Sequence, residues 1–186
     1  MVRNNEHMFE ITNMSPLGMS ILTMLARSPE QEYYVREIAK KIDASVSGCY
    51  TALCNLEVEK LVVARTSGKN KYFKVNPDNI GIRFFKVFVS IQELSGVMEK
   101  LRDITVKIIL FGSCARGEDV LDSDVDLLVV TEDTKTVKDL VPKKIGERKL
   151  KPIIIKPSQL IQMKEKDNAF YNEVHEGIAL WRRTDE

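Results

Sequence analysis

Cysteine and histidine are both scarce. The 186 residues contain three cysteines, Cys49, Cys54 and Cys114, and two histidines. No cysteine pair has C-x-x-C spacing and no histidine pair accompanies them, which argues against a structural zinc site. Free thiols fit an intracellular protein. A dominant charge is also missing. The formal net charge is +1, with 10 Lys+Arg against 8 Asp+Glu in residues 1–76 and 18 against 19 in residues 77–186. Any contact with nucleic acid must therefore rest on a local patch. No apolar run approaches the ~20 residues of a membrane span, and Met1 to Glu10 is too polar for a signal peptide. Internal repeats and low-complexity tracts are absent. These absences predict a cytoplasmic protein of one or two small domains with no membrane partner.

The densest pattern lies between Ile104 and Val130. Ile104 to Phe111 is β-branched and apolar apart from Lys107, and reads as a mostly buried strand. Gly112 permits a tight turn and close approach of backbone to a ligand. Ser113 can cap a following helix, whose free N–H groups attract anions. Arg116 sits one turn further on, in reach of phosphate oxygens, and Gly117 ends the segment. Ten residues separate Ser113 from Asp124. Asp124 and Asp126 are two apart, so on a strand they share a face while Val125 and Leu127 point the other way. Two neighbouring carboxylates favour a cation between them, and Mg²⁺ suits oxygen ligands shared with substrate phosphates. Cys114, beside this turn, is read either as a thiol whose pKa a helix N-terminus lowers or as a small space-filler.

Gly112-Ser113, ten residues, then Asp124-x-Asp126, flanked by Ala115-Arg116-Gly117 and Leu127-Leu128-Val129, resembles the core motif of minimal nucleotidyltransferases of the polymerase-beta-like superfamily. The resemblance implies metal-dependent transfer of a nucleoside monophosphate from an NTP to a hydroxyl acceptor, a protein being one candidate acceptor. Gly112, Ser113 and Arg116 would hold the nucleotide. Asp124 and Asp126 would be catalytic and hold Mg²⁺ or Mn²⁺. Members of the superfamily usually carry a third carboxylate on a later strand, where it helps to activate the attacking hydroxyl. The matching strand here, Lys149 to Lys156, contains no acid, and Lys151 stands at the expected place. Glu147 is near but precedes the apolar run. A lysine there would pair with Asp124 or Asp126 and compete with the metal. Ala169 to Trp181 also resembles the end of such domains, a short helix stopped by Gly177 and a last strand. His175 on that helix reads as structural before it reads as a ligand.

The N-terminal segment has a different grammar. Ser15-Pro16 opens a helix with a cap residue and proline at the first position, and Leu17, Ile21, Met24 and Leu25 fall on one face. Val35, Ile38, Ala39 and Ile42 mark a second short helix. A third runs from about Val46 to Lys60, with Cys49, Leu53 and Leu56 inward. Leu61 to Arg65 and Lys71 to Val75 read as strands flanking a turn at Thr66 to Asn70. This order resembles a winged helix-turn-helix, in which the third helix enters the major groove of double-stranded DNA. Its outer face would present Ser47, Tyr50, Thr51 and Asn55. The wing carries Arg65, Lys69, Lys71 and Lys74 with no acid among them, a stripe suited to phosphate contact.

Between the two segments, Ile80, Phe84, Val87, Ile91, Leu94, Met98 and Leu101 alternate by four and three, and Phe85 and Phe88 widen the stripe. One helix of roughly 24 residues, about 36 Å long, would either pack within the chain or join two copies as a homodimer. The expected architecture is α+β: a winged helix-turn-helix (1–77), a connecting helix (78–103) and a small mixed-sheet α/β nucleotidyltransferase-like domain (104–186). The alternative function is a transcription regulator whose nucleotidyltransferase-like domain transfers weakly or not at all and serves as nucleotide sensor or dimer scaffold.

Overall fold

A computed structural model describes residues 14–183. The chain divides into two units, the first reaching Ile82 and the second starting at Arg83.

The first unit opens with α1 (Pro16–Ala26), whose cap is Ser15: its Oγ accepts from the Gly18 N–H at 3.0 Å. A two-residue strand β1 (Tyr33–Tyr34) leads into α2 (Val35–Lys41), which Glu37 caps by accepting from the Tyr34 N–H at 3.0 Å. Helix α3 (Val46–Val58) starts at a second serine cap, Ser45. The hairpin β2 (Val62–Ser67) and β3 (Asn70–Val75) follows, paired through to Ser67 opposite Asn70. Both strands run further toward the tip than the sequence pattern suggests, because the ladder needs only Gly68 and Lys69 to turn. Strand β1, which has no sequence signature, adds to the far edge of β3 through Tyr33–Phe73 and Tyr34–Tyr72. Ile21, Leu22 and Leu25 of α1, Ile38 of α2, Leu53 of α3 and Phe73 of β3 are fully buried together with Cys49. Three helices and a hairpin built on one core make a winged helix.

Helix α4 (Gly81–Leu101) is shorter at its start than the apolar stripe, because the Asn79 side chain accepts from the Gly81 N–H and turns the chain there. A 3₁₀ turn (Arg102–Ile104) ends it. Ile104 stays outside the next strand, since its carbonyl accepts from the Thr131 hydroxyl at 2.7 Å. Then come β4 (Lys107–Phe111), α5 (Gly112–Arg116), β5 (Val125–Val130), α6 (Thr134–Leu140), β6 (Lys144–Ile145), β7 (Arg148–Ile155), α7 (Pro157–Lys166), α8 (Asn168–His175) and β8 (Ile178–Arg182). The strands order as β6-β7-β5-β4-β8, with only β5 and β7 parallel.

The sheet is covered on both faces, as period-two burial requires. Ile108, Leu110, Val125, Leu127 and Val129 pack with Leu94, Val97 and Leu101 of α4. Ile109, Phe111, Leu128 and Val130 pack with Val174 and Phe170 of α8 and Leu160 of α7. The connecting stripe is thus divided. Leu94 and Leu101 are buried, whereas Phe84 and Phe88 are 70% and 46% exposed. Among the described residues no helix is long and apolar enough to cross a membrane.

Candidate functional site

The turn after β4 is built by two glycines. Gly112 has φ of +69°, and a Cβ there would stand 2.7 Å from Asp126 Oδ2. Backbone conformation and available space both demand glycine. The register explains the closeness: Phe111 pairs with Asp126 across β4 and β5. Gly117, at φ +66°, closes α5, and a Cβ there would meet the Arg83 carbonyl oxygen at 2.2 Å. The turn is therefore seated directly on the backbone of α4. Ser113 does not cap α5 as expected. The helix begins two residues earlier than a Ser113 cap would place it, with Phe111 in the cap position, and Ser113 lies inside its first turn.

Asp126 is the second residue of β5, and Asp124 precedes the strand. Both are partly exposed, while Val125 and Leu127 are buried on the α4 side. Lys151 lies opposite Asp126 on the parallel strand β7. Its Nζ is 2.6 Å from Asp124 Oδ2, and that bond raises the lysine's pKa. Burial pushes the Asp126 carboxyl up, with Asp124 and Glu173 adding to the rise and Lys151 and Arg116 opposing it. Glu147 is exposed in the turn between β6 and β7.

Residues 91–178 match the family model described as "Nucleotidyltransferase domain". That match places a nucleotidyltransferase domain at residues 91–178, within the second unit. No curated protein matches the chain. Among solved structures, the homodimeric winged helix-turn-helix DNA-binding domain of Mb0332 from Mycobacterium bovis is 18% identical (TM-score 0.39), over 51% of this chain and 93% of that one. A variant of ZitR from Lactococcus lactis is 17% identical (TM-score 0.39; 56% and 68% covered). A Sulfolobus solfataricus protein described as a nucleotidyltransferase is 15% identical (TM-score 0.39; 57% and 93% covered). At these scores the likenesses are loose.

The side chain opposite Asp126 on β7 is thus a cation, Lys151, and not a carboxylate. A divalent metal does not fit these side chains as they stand. Among the described residues no group of three His, Cys, Asp or Glu could hold one, and the Lys151 ammonium already engages one of the two aspartates. Arg116 is also engaged. Its Nε donates to Glu118 at 2.8 Å, and Arg83 donates to the other Glu118 oxygen at 3.0 Å and to the Arg116 carbonyl. The pair is exposed and weak. Glu173 on α8 carries no motif signal. The helix places it near the site by packing Phe170 against Phe111, rings 5.7 Å apart. His175 lies against the Tyr171 ring and is exposed.

Cys114 is buried, and burial raises its pKa, so the space-filling reading holds and the lowered-pKa reading does not. Its thiol donates to the Asp124 carbonyl at 3.4 Å and accepts from Arg148 at 3.3 Å. Arg148, 3% exposed, also donates to buried Asp119 at 3.0 Å, to Ser90 and to Glu93, while Lys86 stands 3.7 Å from Asp119. This buried cluster ties β7, α4 and the loop after α5 to the underside of the glycine turn. Nothing in the local sequence pattern marks it.

On the winged helix, Ser47, Tyr50, Thr51 and Asn55 are all exposed along α3. The wing is less cationic in space than along the chain. Arg65 is paired with Glu32 at 2.6 Å and lies over the Tyr72 ring, and Lys71 is paired with Glu57 at 2.6 Å. Neither acid is in the hairpin. Lys69 at the hairpin tip has no acidic partner among the described residues. Arg36 of α2 joins Tyr50, Lys69 and Lys71 around a cleft of about 350 Å³. Arg36 escaped the sequence pattern because α2 was read only for its apolar stripe.

Proposed function

We propose that this chain is a DNA-binding regulator whose nucleotidyltransferase domain binds a nucleoside triphosphate but transfers it slowly. The observation that carries this reading is the Lys151–Asp124 ion pair in register with Asp126. An ammonium there neutralises carboxylate charge that would otherwise recruit a cation, and it cannot accept a proton from an attacking hydroxyl. The Gly112–Ser113 turn and Arg116 would hold the phosphates. Lys151 would offer a further positive charge to them. The test is calorimetric titration with ATP. Wild type should bind. Gly112→Ala should lose about tenfold or more in affinity and about 1–2 kcal/mol of stability from its left-handed backbone. Equal binding by both proteins would remove the turn from the site.

A second reading is metal-dependent transfer to a hydroxyl, on a protein or elsewhere, with Mg²⁺ or Mn²⁺. The two aspartates favour it, since Asp124 and Asp126 are both partly exposed and Asp126 lies against the glycine turn. That reading requires Lys151 to leave Asp124 when nucleotide arrives. Transfer of label from ATP by wild type, abolished in Asp124→Asn, would support it.

For DNA, the exposed polar face of α3 and the unpaired Lys69 support major-groove reading with a phosphate contact from the wing. Arg36 is the further contact. Removing Lys69 or Arg36 should weaken binding to duplex DNA and lower the salt slope by about one for each lost contact. Arg65→Ala should cost less, since Arg65 is spent on Glu32. A gel-shift series over salt concentration checks this, and equal losses for all three would contradict it.

The exposed Phe84 and Phe88 on α4, one turn apart, support a homodimer formed through this face. Double replacement by glutamate should give a monomer by light scattering without lowering the melting temperature. An unchanged mass would place the interface elsewhere.

A further inference from the structure

A second cavity, of about 280 Å³, lies on the α7–α8 side of the sheet. Its walls are Ile109, Leu160 and Val174, its cations are Lys107 and Lys164, and His175 lies at its side. Tyr171 supplies an aromatic wall beside His175. Lys107 is the anomaly. Alternate residues of β4 point to this face, and Ile109 and Phe111 fill it with apolar contacts. Lys107 occupies the same face at the start of a strand flanked on both sides, by Val130 and Arg182 in the register. Burial and the neighbouring Arg182 pull its pKa down. No acid lines the cavity, and among the described residues neither Lys107 nor Lys164 has an acidic partner. A half-buried ammonium in an apolar wall costs free energy unless an anion meets it.

We infer that this cavity is a binding site for a small organic anion, an apolar ring or short acyl body ending in one carboxylate or phosphate. Ile109, Leu160, Val174 and Tyr171 enclose the body, and Lys107 and Lys164 meet the anionic end. The volume is close to the lower limit of roughly 300 Å³ for small-molecule pockets. The site is separate from the glycine turn. Lys107 and Phe111 are four residues apart on one strand, about 13 Å at roughly 3.3 Å per residue. It does not depend on the nucleotide reading. Because α8 also carries Phe170 and Glu173, an occupant would bear on the helix that borders the nucleotide site, as an effector does.

The test uses the full chain and 4-phenylbutyrate as probe, with 4-phenylbutanol as its uncharged match, followed by methyl and amide NMR. The acid should bind saturably and shift the signals of Ile109, Val174 and His175, and the alcohol should bind about tenfold or more weakly. Lys107→Met should remove that preference and, by removing a desolvated charge, melt at or above the wild-type temperature. No saturable shift with the acid, equal binding of acid and alcohol, or a Lys107→Met protein that keeps the preference would each overturn the inference. Shifts confined to residues around Gly112 would overturn it as well.

Discussion

Replacing Lys151 by aspartate should raise nucleotide transfer by about 100-fold or more, the low end of what a positioned general base contributes. Lys151 is opposite Asp126 in the parallel register and bonded to Asp124. An aspartate at that position would complete the three-carboxylate pattern of the superfamily and free Asp124 at once. Three converging acids repel one another unless a cation binds, so the variant should also melt lower without Mg²⁺ and recover when it is added. Wild type, with its own ammonium in place, should respond to Mg²⁺ much less. Labelled ATP transfer and melting with and without Mg²⁺ read the two effects separately. A variant no faster than wild type, with unchanged response to Mg²⁺, would show that Lys151 is not what restrains the site.

Arg148→Met should destabilise the chain by about 3–5 kcal/mol, the cost of leaving one side of a buried ion pair uncompensated. Asp119 is completely buried and Arg148 almost so. The guanidinium also reaches Glu93, Ser90 and Cys114, so one substitution strips donors from four groups. Lys86, near Asp119, offsets part of the loss and places the expectation toward the lower end. Arg148→Lys should rescue little, because a single ammonium cannot donate to partners spread around a planar fork. Urea unfolding checks this through a lowered midpoint at constant slope. A loss under about 1 kcal/mol would mean that the cluster is redundant, as an exposed pair would be.

Much of the fold was legible because its signals are local. Ser15-Pro16 announces a helix start, Gly117 a helix end, and the apolar run of Val125 to Val130 a strand. The glycine turn and the two aspartates were legible for the same reason, since one short segment carries them all. What escaped depends on distant partners. The two-residue strand Tyr33–Tyr34 exists only because β3 has a free edge. The pairing of Arg65 with Glu32 and of Lys71 with Glu57 depends on how the hairpin leans on other elements. Arg148 stands among charged residues just ahead of the run that reads as a strand, and its partners lie 29 to 58 residues away. Glu173 needs the packing of α8 before it can be seen beside Asp126.

The strand order has a consequence for how the chain is made. Strand β4 lies between β5 and β8, and β8 is the last element among the described residues. Until Ile178 to Arg182 leaves the ribosome, the Lys107 to Phe111 edge has no pairing partner. That edge reads Lys-Ile-Ile-Leu-Phe, and an open apolar edge is a template for joining another chain. Lys107 is the one charge in it, and a chain terminated at Gly177 would carry the open edge permanently.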